Sequence, residues 1–247
     1  MRIATWNVLH RIHAVNWHEP VIDAHPDEDA RIAAIVARVA TLADIVCLQE
    51  VSGDLVQALS AAFRDRIVEW HRYPRVPRLF RSGVLPVREP AEYLVTIARL
   101  PMRHAGGGTF ATDPGKGYLV VAADDLAVIN THVSYGERHA AQCAELAEVA
   151  RTYPRVAIVG DFNAERDVCL AALDGFVAAD PVAPALPTRP RTTPSTKAQT
   201  IDHVLVHGCM LREVEVVSGD GLSDHNPVVA TVRHLSQNTR RDTLKSP

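Results

Sequence analysis

Cysteine is scarce in this 247-residue chain, and its four copies carry no pattern. Cys47, Cys143, Cys169 and Cys209 lie far apart, without the close paired spacing of a zinc or dithiol site. Cys47 and Cys143 fall in apolar stretches that read as core, so the expectation is reduced thiols in an intracellular protein. Long apolar runs are also missing. No segment reaches the roughly 20 apolar residues that a membrane helix needs, and the opening MRIATWNVLHRIH lacks the apolar stretch of a signal peptide. A cytoplasmic protein without membrane association is expected. Positive charge is not in excess either: the net charge is −3 and the pI about 6.4, which excludes an overall basic footprint for nucleic acid but leaves room for a local patch. No repeat at a solenoid period is present, and no obligate protein partner is evident.

What is present is apolar residues, 47% of the chain, enough for a substantial core. One domain over residues 1–234 is expected, with residues 235–247 a polar, mobile tail. Arg2 to Val8 reads as a strand that begins almost at the first residue. Ile32, Ile35, Val36, Val39 and Leu42 repeat at helical spacing within Asp29 to Ala43, behind an acidic start. Asp44 to Val51 reads as a buried strand, and Ser52 opens a second helix through Phe63. Further strands are expected at 67–70, 93–98, 118–122, 127–131, 156–160, 201–206, 211–217 and 228–232, with helices over 138–152 and 167–173. Residues 181–200, rich in proline and threonine, read as an aperiodic loop. Many strands with a few interspersed helices imply two packed sheets covered by helices.

Six short segments share one feature, an apolar strand meeting polar residues able to bind metal or phosphate. They are Thr5–Asn7 (TWN), Leu48–Glu50 (LQE), Asn130–His132 (NTH), Gly160–Asn163 (GDFN), Ser223–Val228 (SDHNPV) and Ile201–Val206 (IDHVLV). Charge beside an apolar strand is costly unless paired or metal-bound, so six such places point to convergence at one site. Taken singly, Asn7, Asp161 and Asp224 are as readily strand-end turn formers, and a lone His132 or His225 is more often a satisfied histidine.

In this order and spacing the segments resemble the endonuclease/exonuclease/phosphatase superfamily of metal-dependent phosphoesterases, from Ile3 to Val232. The resemblance implies a four-layered α/β/β/α sandwich with two packed, mainly antiparallel sheets. It implies Mg²⁺ or Mn²⁺ as cofactor, with Glu50 a metal ligand, Asn7 beside it and Asp224 supporting the metal or the neighbouring histidine. Asp161 is similar to the residue that orients or deprotonates the attacking water, and Asn163 to the amide that holds a phosphate oxygen. His132 is similar to the histidine that stabilises or protonates the phosphoryl group, with Asp202 fixing its ring and keeping it charged, and His225 to a phosphate contact. The implied reaction is in-line attack of water on a phosphate ester, nucleic acid or a nucleotide-like diester, with a phosphomonoester the alternative. Arg138 and Gln142 also fit the family's pattern, although the outer face of a helix explains them equally well.

Three features stand outside that pattern. Residues 70–81 interleave Arg72, Arg75, Arg78 and Arg81 with Trp70, Tyr73 and Phe80, a mixture that can grip phosphates and stack bases, or be a solvated loop with packed aromatics. AGGGTFATDPGKG, residues 105–117, lacks the ending of a nucleotide P-loop, yet Lys116 can reach a phosphate. His10, His13, His18 and His25 fit no compact zinc spacing and read as a polar loop, with Asn16 and Trp17 packing at its rim; Arg189, Arg191 and Lys197 line a rim or keep the later loop soluble.

Overall fold

The computed structural model describes residues 1–123, 126–183, 185–192 and 196–234. Among these described residues, eleven strands divide between two mixed sheets. The first sheet joins β1 (Arg2–Asn7), β2 (Ile45–Ser52), β3 (Ile67–Arg72), β4 (Glu92–Ala98), β10 (Cys209–Val216) and β11 (Val228–His234) in the order β10-β11-β1-β2-β4-β3. The second joins β5 (Arg103–Thr109), β6 (Gly117–Ala123), β7 (Leu126–His132), β8 (Arg155–Asp161) and β9 (Asp202–His207) in sequence order. Each sheet is antiparallel except for one central parallel pair, β1 with β2 and β7 with β8. A parallel pair needs a crossover, and helices supply both. Between β1 and β2 run α1 (Arg11–Trp17), α2 (Val21–Ala24) and α3 (Glu28–Leu42); between β7 and β8 runs α5 (His139–Ala150).

Three apolar layers result. Val121, Val128, Val159, Val204 and Val206 of the second sheet meet Ile3, Ile45, Cys47 and Val228 of the first between the two sheets. Ile32, Ile35 and Val39 of α3, with Leu55 and Leu59 of α4 (Gly53–Ala62), cover the outer face of the first sheet. Cys143 and Leu146 of α5, with Cys169 of α6 (Arg166–Ala172), cover the second. This is the expected α/β/β/α sandwich.

The sheets are also joined by one polar clamp. Asn130, fully buried on β7, donates from Nδ2 to Leu48 O at 3.2 Å and Val95 O at 2.9 Å, and its Oδ1 accepts from Gln49 Nε2 at 2.8 Å. A buried amide with every group satisfied sets how the sheets slide against each other, because any shift leaves several polar groups unpaired. Gln49 of the LQE segment and Asn130 of the NTH segment therefore hold the sheets in register.

Two stretches depart from the sequence expectation. The histidine-bearing segment after β1 forms α1 and α2. The His10 ring caps α1 by accepting from Ile12 N at 3.2 Å, and the buried Arg11 donates to His25 O at 2.9 Å. At seven residues, α1 is too short to carry a periodic signal. Residues 103–109, RHAGGGT, form the edge strand β5 despite three glycines, because pairing with β6 outweighs local preference. The expected tail, 235–247, lies outside the described residues.

Asn130→Ala should lower stability by about 2–4 kcal/mol, since it strands buried acceptors as well as removing hydrogen bonds. Urea unfolding of wild type and variant measures this; a loss below about 1 kcal/mol would show that apolar contact alone sets the sheet register.

Candidate active site

A parallel strand pair ends both of its strands at one edge, so the two central pairs deliver their last residues to one place. Asn7 ends β1, Glu50 lies one residue beyond its pairing partner on β2, and His132 and Asp161 end β7 and β8 directly opposite each other. Together with His13, Lys116, Asn163, Arg189, Asp224 and His225 they line an open cleft of about 1220 Å³.

Glu50 is aimed by backbone strain. The β2–β4 pairing slips between Leu48 and Val51, a bulge in which Glu50 takes φ 56°, a left-handed conformation that costs a non-glycine residue on the order of 1–3 kcal/mol. Its carboxylate accepts from Asn7 Nδ2 at 3.2 Å and from His10 N at 3.2 Å. Burial alone would raise this carboxyl, but the positive charge of His13 and Lys116, with the Asn7 hydrogen bond, outweighs it and holds Glu50 below the usual range. Asn7 bridges two acids, its Nδ2 also donating to Asp161 Oδ2 at 3.0 Å while its Oδ1 accepts from Leu9 N at 3.0 Å. The Asn7 oxygen is thus engaged, and Glu50 is left as the open hard ligand of that pair.

Asp161 is buried and poorly compensated. Burial first, then the neighbouring Asp202 carboxylate, push it up to about 6, against the pull of His225, Lys116 and Asn7. Asn163, also left-handed at φ 51°, donates its backbone N–H to Asp161 Oδ1 at 2.9 Å and its Nδ2 to Val133 O at 3.0 Å, which places its amide 3.4 Å from His132 Nε2.

The expectation that Asp202 fixes His132 fails, and strand order is the reason. His132, Asp161 and Asp202 are register partners on β7, β8 and β9, so Asp161 stands between the other two. Asp202 Oδ2 instead accepts from His225 Nδ1 at 2.9 Å. The 223–225 turn makes this possible. Ser223 Oγ donates to Asn7 O at 2.7 Å, and Trp6 Nε1 donates to His225 O at 3.0 Å. Burial would lower His225, yet the carboxylates of Asp202, Asp224 and Asp161 raise it to about 10. His132 goes the other way: burial and then Lys116, whose Nζ lies 3.0 Å from its Nδ1, hold it well below the usual range. Of these two histidines His225 carries the charge, and His132 is neutral.

Asp224 is met by an arginine. Arg189 Nε and Nη2 approach Asp224 Oδ2 at 3.1 Å and 3.0 Å. The preceding Thr188, fully buried, accepts at Oγ1 from Ile201 N and Asp202 N, and Arg189 and Gln199 exchange both backbone hydrogen bonds at 2.9 Å. Part of the expected aperiodic loop is therefore a strap that carries a cation into the cleft. Of the arginines considered for substrate, Arg78 lines the cleft, and Arg75 lines it while paired to Asp113 at 3.0 Å. Arg72 does not reach it: it ends β3, the edge strand of the first sheet, and faces solvent. Arg138 shares Asp113 at 3.1 Å, and the buried Gln142 accepts from Ser134 N at 2.7 Å, so Gln142 braces the turn after His132. Sequence reasoning missed Asp113, for which the DPG turn was a usable signal. It also missed the pairing of His13 Nε2 with Glu92 at 2.9 Å, for which there was none.

Residues 4–225 match the model of the Endonuclease/Exonuclease/phosphatase family. The chain belongs to that family. Among solved structures of similar fold, an endonuclease/exonuclease/phosphatase from Beutenbergia cavernae DSM 12333 has a TM-score of 0.66 at 22% identity, over 95% of this chain and 71% of that one. The human Nocturnin catalytic domain with bound sulfate has a TM-score of 0.64 at 18% identity, covering 95% and 93%. D. rerio TDP2 complexed with a single-strand DNA product has 0.63 at 14%, covering 94% and 98%. No curated protein matches the chain.

In this family member the donors fit a divalent cation. Hard oxygens predominate, and the raised Asp161 marks negative charge that the described residues leave uncompensated. Glu50 presents a carboxylate into the cleft, and Asp161, Asp202 and His225 form the group of acids and imidazole whose ligand atoms lie within 4.8 Å of one another. Asp202 gives Oδ2 to His225 Nδ1 and leaves Oδ1 buried without a hydrogen-bond partner. The four histidines of residues 10–25 form no such group among the described residues.

Asp202→Asn should drop the His225 pKa from about 10 toward 6.5, since the lost carboxylate is the strongest of the charges that raise it. A raised histidine stabilises the fold fully below about 6.5 and loses that contribution as pH rises toward 10, so wild type should weaken across that window more than the variant. Proton NMR titration of the ring reads the first effect, and an unmoved His225 would refute the pairing.

Proposed function

We propose that this protein hydrolyses phosphodiesters with Mg²⁺ or Mn²⁺, by in-line attack of water on phosphorus. The observation that carries this reading is a pair of neighbouring groups pushed to opposite protonation states: Asp161 near 6 and His225 near 10. At neutral pH the first is a base and the second a cation, and groups driven apart in this way mark acid–base assignments. Asp161, oriented by Asn7 and by the Asn163 N–H, takes the proton of the attacking water. His225, backed by Asp202, meets the charge that grows on the phosphoryl oxygens, and the Asn163 amide and Lys116 hold those oxygens in place. His132, neutral, orients the same oxygens by hydrogen bonding. Glu50 would hold the cation, with Asp161 beside it, and the cation supplies charge neutralisation at the phosphoryl group. Arg189 keeps Asp224 paired and lends further positive charge.

A diester is favoured over a monoester because the cleft is large and open. Its volume of about 1220 Å³ exceeds the roughly 300–1,000 Å³ of small-ligand pockets, and Arg75, Arg78, Lys116, Arg138 and Arg189 all line it. The TDP2 of similar fold was crystallised with a DNA product, which agrees with this preference. A cytoplasmic setting is supported by the buried thiols of Cys47, Cys143 and Cys169.

The test is hydrolysis of bis(p-nitrophenyl) phosphate against p-nitrophenyl phosphate, with Mg²⁺, Mn²⁺ or EDTA. Metal-dependent turnover of the diester, silenced by EDTA, is expected; faster turnover of the monoester, or indifference to EDTA, overturns the reading. On the diester, His225→Ala should cost on the order of 10³-fold and Asp202→Asn on the order of 10²-fold. The double variant should lose no more than His225→Ala alone, because the two residues disable one unit. Multiplied losses would mean that they act independently.

A further inference from the structure

Two large aromatic side chains stand exposed at the cleft, where nothing in the fold needs them. Trp17 is 61% exposed and Phe80 is 70% exposed, and both line the cleft that holds Asp161 and His225. Their rings meet edge to face, with centroids 5.6 Å apart and planes 86° from one another. Leaving such area in water is unfavourable, and a pair so placed at an active cleft marks a ligand surface.

The pair is held as a fixed corner. Trp17 is the last residue of α1, which His18 closes in a left-handed conformation, with its N–H directed at Ala14 O and Val15 O. Phe80 lies on a segment without regular structure, yet the Asn16 amide grips that segment on both sides. Asn16 Nδ2 donates to Arg78 O at 2.9 Å, and Phe80 N donates to Asn16 Oδ1 at 2.9 Å. One side chain thus fixes Phe80 against Trp17 and sets exposed Arg78 beside both on the cleft wall.

We propose that Trp17 and Phe80 form a stacking site for a nucleobase of the substrate, with Arg78 on the adjoining phosphate. The inference rests on the phosphodiesterase reading and narrows it to substrates that carry a base. A ring in an open cleft, flanked by a guanidinium and an amide, suits a flat, polar-edged base between phosphates. An acyl chain requires an enclosed apolar channel, and a sugar offers no flat face to two rings at right angles. Stacking tolerates any base, so the site selects for the presence of a base and not for sequence.

The experiment compares two fluorescein-labelled single strands of four phosphorothioate-linked units, one with thymine bases and one abasic, with equal charge. Binding is read by anisotropy in EDTA at low salt. The wild type should bind the base-bearing strand at least about 10-fold more tightly, and Trp17→Ala with Phe80→Ala should reduce that ratio to below about 3-fold. Both residues are exposed, so the variant should keep its fold, which circular dichroism checks. In Trp70→Phe protein, the base-bearing strand should also quench Trp17 emission more than the abasic one. Equal affinity for the two strands, no binding of either, or a preference that survives the double variant overturns the proposal. Diester hydrolysis without base preference overturns this site alone. Base preference without hydrolysis leaves the site standing and overturns the hydrolase reading.

Discussion

Buried negative charge is the constraint on which the rest of this structure depends. Glu50, Asp161, Asp202 and Asp224 converge on one edge of a sandwich whose strands are otherwise apolar. Carboxylates removed from water are tolerated only with partners, and each of the four is treated differently. Asp202 is answered by His225, Asp224 by Arg189, and Glu50 by Asn7, a backbone N–H and surrounding positive charge. Asp161 is answered least and holds a proton most readily. That gradient leaves neighbouring acids and imidazoles in different charge states at one edge.

The architecture around the cluster serves the same end. Two parallel strand pairs, one per sheet, bring four chain segments to a common edge, and the Gln49–Asn130 clamp holds those edges in register. A bulge and a left-handed backbone at Glu50, and a second left-handed residue at Asn163, are strains of the kind a fold retains where a side chain must point in an unfavourable direction. The strap through Thr188 spends buried hydrogen bonds on placing one guanidinium.

Much of this was legible in the sequence, because each catalytic candidate terminates or flanks an apolar run and apolar runs declare themselves. Asn7, Glu50, His132, Asp161, Asn163, Asp224 and His225 were all readable in this way and all line the cleft, with Asp202 directly behind His225. The pairing was not legible. Which histidine Asp202 serves depends on β8 lying between β7 and β9, an order that composition and spacing do not encode. Short local signals failed for α1, whose cap is a histidine and whose buried residues are few, and for β5, whose glycines argue against a strand that its neighbour nonetheless stabilises. Arg72 and Arg78 look alike in sequence; only the end of β3 separates the one facing solvent from the one on the cleft wall.

If uncompensated charge around Asp161 is what prepares this cleft for a cation, binding should be visible in stability without any substrate. Thermal unfolding in EDTA and in increasing Mn²⁺ measures it, for wild type and for Glu50→Gln. The account predicts a saturable rise for the wild type, equivalent to about 2.7 kcal/mol at 100 times the dissociation constant, and a much smaller one for the variant. An unchanged melting temperature in the wild type, or the same rise in both proteins, would contradict it.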